Sequence, residues 1–249
     1  MTRLRLDQAL VDRGLCPSRE KAKRAILAGE VRVAGQVAGK PGHVIKPDDL
    51  VTLEAPERFV SRGGHKLEHG LLHFQLDVKG MTAIDLGAST GGFTDCLLQH
   101  GAARVFAVDV GRGQLAWKLR RDDRVTVMEQ TNARWLTRQD FPPDFEGAGL
   151  IVADCSFISL KKIIPPAVAL LEDCGNILAL VKPQFEAGKA EAGRGRGVIR
   201  DPAIHARVLN ELKTFASETA GLRWKGETPS PLLGPAGNKE FLVLLEKKR

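Results

Sequence analysis

A chain of 249 residues with 43% hydrophobic and 27% charged residues has an ordinary globular composition, which excludes disordered and fibrous classes. Its formal charge of +7 favours encounter with polyanions, among them RNA, DNA and anionic membranes. No run approaches the roughly 18 apolar residues of a membrane helix, and the opening MTRLRLDQAL lacks the apolar core of a signal peptide, so a cytoplasmic protein is expected. Cys16, Cys96, Cys155 and Cys174 form no C-x-x-C pair and read as reduced, mostly core residues, and no metal is expected. Tyrosine is absent and aromatic residues make up 5%, so nucleic-acid binding is expected to rest on Lys and Arg more than on stacking.

Apolar residues recur at helical spacing from Leu6 to Arg13 and from Ser18 to Ala28, with Ser18 placed as an N-cap and Gly14 and Gly29 as stops. Short strands follow at 31–33, 36–37 and 50–53, divided by Gly35, Gly39, Pro41 and Pro47. A first domain over residues 1–56 is therefore predicted as helix, helix, strands. Arg5, Arg19, Lys21, Lys23 and Arg24 lie within reach of one phosphate track, although a solvated helix face would look the same. Arg5-Leu-Asp7, Leu10, Gly14, Ser18-Arg19, Ala22, Ile26, Gly29, Val31, Val33, Gly35 and Lys40-Pro41 together resemble the S4-like RNA-binding domain, over roughly residues 4 to 53.

A linker over 57–63 is expected to lead into a second domain over 64–249. A helix at 66–74 opens it, and apolar strand runs then alternate with helical stretches: 82–85, 105–109, 125–129, 150–154 and 177–181. Alternation of this kind implies βαβ units and a parallel, doubly wound, Rossmann-like α/β sheet. Two last strands, near 222–225 and 241–245, have only a Pro/Gly-rich connection between them and should pair antiparallel. A helix is expected from Pro202 to Thr219.

The strand ending at Asp85 runs into Leu86-Gly-Ala-Ser-Thr-Gly-Gly-Phe93, a glycine-rich turn at a strand's carboxyl end where a ligand can lie against the backbone. Roughly 20 residues after its first glycine, Asp109 is placed to accept ribose hydroxyls, in either a dinucleotide or an S-adenosylmethionine site. Gly87-Ala-Ser89-Thr-Gly91 also matches the G-x-S-x-G nucleophile elbow, with Asp154 and His205 following in hydrolase order. Against this, His205 falls inside a predicted helix and the elbow strand comes first in the sheet. The methyltransferase reading assigns Asp85 to the cofactor's ammonium or to the loop amides, and Gly87, Ser89, Gly91, Gly92 and Phe93 to the loop around it.

Asp154 and Lys182 end the fourth and fifth strands of this domain, and Glu240 begins the last, so an antiparallel final strand would bring all three to one rim; Lys66 could join them from the linker side. Ser61-Arg-Gly-Gly-His-Lys66-Leu, Asp85-Leu-Gly-Ala-Ser-Thr-Gly-Gly-Phe-Thr-Asp95, Ala107-Val-Asp109-Val-Gly, Asp154-Cys-Ser-Phe-Ile-Ser-Leu160 and Val181-Lys-Pro-Gln-Phe-Glu186 resemble the TlyA family, hemolysin-like ribosomal RNA 2′-O-methyltransferases with an FtsJ-like catalytic domain. The resemblance covers essentially the whole chain. It implies S-adenosylmethionine as cofactor, ribosomal RNA (a cytidine ribose) or ribosomal subunits as partner, and a catalytic Lys-Asp-Lys-Glu tetrad at Lys66, Asp154, Lys182 and Glu240. Arg62 and the Gly/Arg-rich stretch from Gly188 to Arg200 are candidate RNA contacts. A non-catalytic RNA-binding factor and a membrane-active cytolysin remain the alternatives; the intact tetrad opposes the first and the missing membrane span the second.

Overall fold

The computed structural model describes residues 3–54, 57–188, 191, 193, 195, 197–218 and 220–248. Two compact units divide between Arg58 and Phe59.

In the first unit β1 (Leu4–Arg5) leads into α1 (Leu6–Asp12), followed by α2 (Arg19–Leu27), β2 (Val31–Val33), β3 (Gln36–Val37), β4 (Val44–Ile45) and β5 (Val51–Leu53). Ser18 accepts a hydrogen bond from the Lys21 amide at 3.3 Å and so opens α2 as its sequence position suggests. Leu6, Ala9, Leu10, Ala22, Ile26 and Val31 are wholly buried and form a core of their own. β2 lies between β3 and β5, and β1 pairs with β4. The β1–β4 ladder was not anticipated, because two-residue strands are too short to show an alternation.

Asp7 organises the charge of this unit. Its fully buried carboxylate accepts from Arg5 Nε at 3.0 Å and from Arg19 Nη2 at 2.9 Å. The Arg5 guanidinium beside it, reinforced by Arg19, holds the carboxyl down at about 2 despite burial. Both guanidiniums stay about half exposed.

The second unit contains α3 (Gly63–His73), β6 (Thr82–Leu86), α4 (Gly92–Gln99), β7 (Arg104–Val108), α5 (Trp117–Arg120), β8 (Val125–Met128), β9 (Ala148–Ala153), α6 (Leu160–Leu170), β10 (Leu171–Val181), α7 (Pro183–Glu186), α8 (Pro202–Glu218), β11 (Leu222–Pro229) and β12 (Phe241–Lys247). Residues 57–63, expected to be a linker, are shared between the units: Phe59 is buried in the second unit's core and Gly63 already opens α3. The sheet order is β11-β12-β10-β9-β6-β7-β8. β6 to β10 pair in parallel, whereas β12 runs antiparallel to both β10 and β11. The chain leaves β6 toward β7 on one side and returns as β9 on the other, which makes the carboxyl ends of β6 and β9 the switch point where such sheets bind ligands.

Strand side chains alternate between two cores. Ile84, Phe106 and Ile151 join the cluster that includes α6 and α8, whereas Ala83, Val105, Leu150 and Val152 join the one that includes α3 and α4. No helix among the described residues is long and apolar enough to cross a membrane.

The depressed Asp7 carboxyl stabilises the first unit fully above the ordinary aspartate range, and that contribution is lost as pH falls from about 4 through about 2. Asp7→Asn is therefore expected to lower protection of the α1 amides at pH 7 and to have little effect below pH 2. Hydrogen exchange across that range measures it.

Candidate active site

At the carboxyl end of β6 the chain turns through Gly87 and Ser89, both in the left-handed region (φ +86° and +48°). A Cβ on Gly87 would stand 3.0 Å from the Asp154 carbonyl oxygen, so this glycine allows the β6 and β9 loops to touch. Gly91, at φ +95°, answers packing more than ligand approach, since a Cβ there would run into Leu119 at 2.2 Å. Asp109, just past β7, ties two loops together: one carboxylate oxygen accepts from the Ser89 amide at 2.8 Å and the other from the Gly111 amide at 2.7 Å.

Asp85 points into the α3/α4 core, where one oxygen accepts from the Thr94 amide at 2.9 Å and from its hydroxyl at 2.7 Å. It thereby satisfies an otherwise unpaired amide in the first turn of α4. Its other oxygen is buried with no hydrogen-bond partner among the described residues. Burial, which outweighs the Thr94 bonds and is aided by the nearby Asp154 charge, raises the carboxyl to about 7.

Two lysine–carboxylate pairs stand at the same rim. Lys66, in the first turn of α3, meets Glu240 Oε2 at 2.6 Å, and Lys182, just past β10, meets Asp154 Oδ1 at 2.6 Å. The pairing of Val181 with Phe241 brings Glu240, one residue before β12, beside the end of β10. Lys66, Lys182 and Glu240 are each less than a tenth exposed. All four line one cavity of about 300 Å³, with Arg62, Gly92 and Phe93 also in its wall. A second cavity of about 500 Å³ is lined by Asp109, Asn132, Phe157 and others. Gly87, Ser89, Asp154 and Ser156 belong to both walls, whereas Asp85 and Gly91 border neither.

The hydrolase arrangement does not form. The Ser89 hydroxyl donates to Gln114 Oε1 at 3.2 Å, and His205 is buried in α8 with Nε2 bonded to the Ile199 carbonyl at 3.0 Å. Of the first unit's candidate cations, Arg5 and Arg19 hold Asp7 and Lys23 meets Glu20 at 3.2 Å, while Lys21 and Arg24 are exposed. Lys189, Arg194 and Arg196, the centre of the expected basic stretch from Gly188 to Arg200, lie outside the described residues. Of the cysteines expected to be mostly core, Cys16 and Cys96 are buried, Cys155 is half-buried and Cys174 is exposed where β10 bulges. Burial pushes the Cys155 thiol up to about 12, aided by the Asp154 charge, and leaves it an inert neighbour of the site.

Sequence reasoning missed four features. Ser156 accepts from Lys182 Nζ at 2.8 Å, although it sits within the Asp154-Cys-Ser motif that carried the resemblance. Glu186, raised by burial, accepts from the Ser159 hydroxyl at 2.6 Å and the Leu160 amide at 2.7 Å, which joins the segment after Lys182 to the start of α6. Phe157 is 90% exposed at φ +64° and lies against Phe185. Trp117 and Trp135, also exposed, carry the Arg121 and Arg134 guanidiniums over their rings.

The family model of the FtsJ-like methyltransferases matches residues 59–247, and that of the S4 domain matches residues 4–51. The chain belongs to the FtsJ-like methyltransferases. It is 46% identical to the 16S/23S rRNA (cytidine-2′-O)-methyltransferase TlyA of Mycobacterium tuberculosis, over 98% of this chain and 90% of that one. A solved structure of a hemolysin-named protein from Streptococcus thermophilus aligns over 100% of this chain and 90% of its own, with 46% identity and a TM-score of 0.75. The N-methyltransferase NodS of Bradyrhizobium japonicum, solved with S-adenosylhomocysteine, shares the fold alone: 16% identity, 76% of this chain, 89% of that chain and a TM-score of 0.51.

Asp85 supplies a pH signature. Its folded value near 7 exceeds the ordinary aspartate value of about 3.9, so between these limits the folded state keeps a proton that the unfolded state has lost. Stability of the second unit should therefore fall as pH rises from about 4 to about 7, by at most about 1.4 kcal/mol per pH unit, and Asp85→Asn should flatten that slope. Urea unfolding followed by tryptophan fluorescence reports on this unit, because Trp117, Trp135 and Trp224 all belong to it.

Proposed function

We propose that this protein transfers a methyl group from S-adenosylmethionine to a ribose 2′-hydroxyl of ribosomal RNA, on a cytidine, in the cytoplasm. The observation that carries the reading is the pair of buried lysine–carboxylate contacts in one cavity that shares a wall with the cavity at the sheet's switch point. Similarity to a cytidine-2′-O-methyltransferase over nearly the whole length supports the substrate.

The residues present fit the cofactor. Asp109 borders the larger cavity, and Gly87 and Ser89, both in the left-handed region, bring backbone close to it. When bound, S-adenosylmethionine supplies an electrophilic methyl group on a sulfonium. Asp109, Gly87 and Ser89 would hold its nucleoside part.

The tetrad's task is to hold a weak nucleophile in line and to stabilise the charge that grows on its oxygen. We assign both to Lys182 Nζ, a reading supported by its ion pair with Asp154, a residue common to both cavity walls. Lys66 and Glu240 line the same cavity as Lys182 and form an ion pair, so the buried Glu240 charge is compensated, while its Oε1 is left without a hydrogen-bond partner among the described residues. Phe157 presents an exposed ring at the rim on which the target base can stack. Arg62 and the cations of the first unit, the exposed Arg5, Arg19, Lys21 and Arg24 and the half-buried Lys23, would supply phosphate contacts.

Two expectations follow. Lys182→Ala should lower single-turnover methyl transfer to RNA by roughly a hundred- to thousandfold with fold and cofactor affinity retained, and Lys182→Arg should restore little, because a planar fork does not reproduce a compact ammonium. Near-normal transfer by Lys182→Ala, or a label found on the base instead of the ribose, would overturn the mechanism. Removing residues 1–56 should leave cofactor affinity near that of the full chain and weaken RNA binding strongly. The full chain's RNA affinity should also fall steeply with salt, as phosphate contacts release counterions; filter binding across a salt series measures both.

A further inference from the structure

An ammonium group has three hydrogens and no lone pair, so the acceptors around it define where it can still bind. Around Lys182 Nζ there are three oxygens among the described residues: Ser156 Oγ at 2.8 Å and, at a longer reach, the Asp154 carbonyl oxygen at 3.4 Å accept its hydrogen bonds, while Asp154 Oδ1 at 2.6 Å makes an ion pair without hydrogen-bond alignment. Two of the three come from a single residue, and the third is the only neutral hydroxyl among them. Ser156 is exposed, whereas the lysine it holds is only 8% exposed, so the serine lies on the side of the ammonium that an incoming molecule can reach. It is also one of the four residues common to both cavity walls.

We propose that Ser156 is a positioning residue of the methyl transfer: it holds the Lys182 ammonium toward the junction of the two cavities and yields that hydrogen bond to the ribose 2′-oxygen when RNA binds. The inference rests on the reading of Lys182 given above and deepens it. Chemically the exchange is close to balanced, because one alcohol oxygen replaces another as acceptor from the same donor. A carboxylate in that position would hold the ammonium against the newcomer, and an alanine would leave it to swing onto Asp154, whose two oxygens would be its remaining acceptors. A hydroxyl at this point keeps the buried donor satisfied between turnovers and releases it readily.

The distinguishing expectation is a separation of rate from binding. Ser156→Ala should lower kcat by about tenfold, corresponding to about 1.4 kcal/mol of lost transition-state interaction, while KM for RNA and cofactor affinity stay within about twofold. Ser156→Thr, which keeps the hydroxyl, should return kcat to within about threefold of the parent. The assay uses the full chain, labelled S-adenosylmethionine and ribosomal subunits isolated from cells lacking the protein, with Lys182→Ala measured in parallel and cofactor affinity followed by calorimetry. Parent-like kcat for Ser156→Ala beside an inactive Lys182→Ala would overturn the role of Ser156 and leave the proposed reaction standing. An active Lys182→Ala would overturn both. Equal losses for the Ala and Thr variants, accompanied by weakened cofactor binding, would show that Ser156 merely supports the loop and would also overturn the proposal.

Discussion

The direction of β12 is the constraint on which the site depends. A sheet made only of parallel strands presents strand ends at one rim and strand beginnings at the other, so a residue that opens a strand cannot meet one that closes its neighbour. The antiparallel insertion of β12 beside β10 removes that limit and brings Glu240 to the rim that already holds Asp154 and Lys182. Lys66 reaches the same point because α3 begins at Gly63 and offers its first turn to Glu240. Four charged residues from widely separated parts of the chain thus form two neutral pairs, each within one hydrogen-bond length, in a region where isolated charges would be costly.

The glycine-rich turn is shaped by the protein's own contacts as well as by what binds there. Gly87 is needed where two loops meet and Gly91 where the turn passes Leu119, whereas Asp85 serves first as a cap for α4. Asp109 links the loops after β6 and β7 through two backbone amides and still borders the larger cavity. Preorganisation here is a matter of carboxylates fixing loops before any ligand arrives.

Much of this was legible in the order of the residues. The alternation of strand and helix patterns determines the doubly wound sheet, and the Pro/Gly-rich connection before Phe241 correctly implied the final antiparallel pair. The rim positions of Asp154, Lys182 and Glu240 followed from strand ends alone. What escaped had no periodic signal. β1 and β4 are two residues each, and β10 begins at Leu171, six residues before the apolar run at Ile177, because a bulge interrupts its register. Ser156 and Glu186 act through contacts between segments distant in sequence, and a lone serine or glutamate carries no mark of such a contact. The exposed Phe157 was invisible for the opposite reason: a phenylalanine is ordinarily assigned to a core, and only its backbone geometry and surroundings show that it is not.

The common wall between the two cavities has a pharmacological consequence. Gly87, Ser89, Asp154 and Ser156 belong to both, so on the function proposed above a single molecule with a nucleoside at one end and a cytidine-like sugar at the other would cross only the loops that carry them. Tethering two weakly held halves across so short a gap raises the effective concentration of the second to roughly the millimolar range or above. On that same proposal, the second half of such a bridged inhibitor would be read by the two lysine–carboxylate pairs.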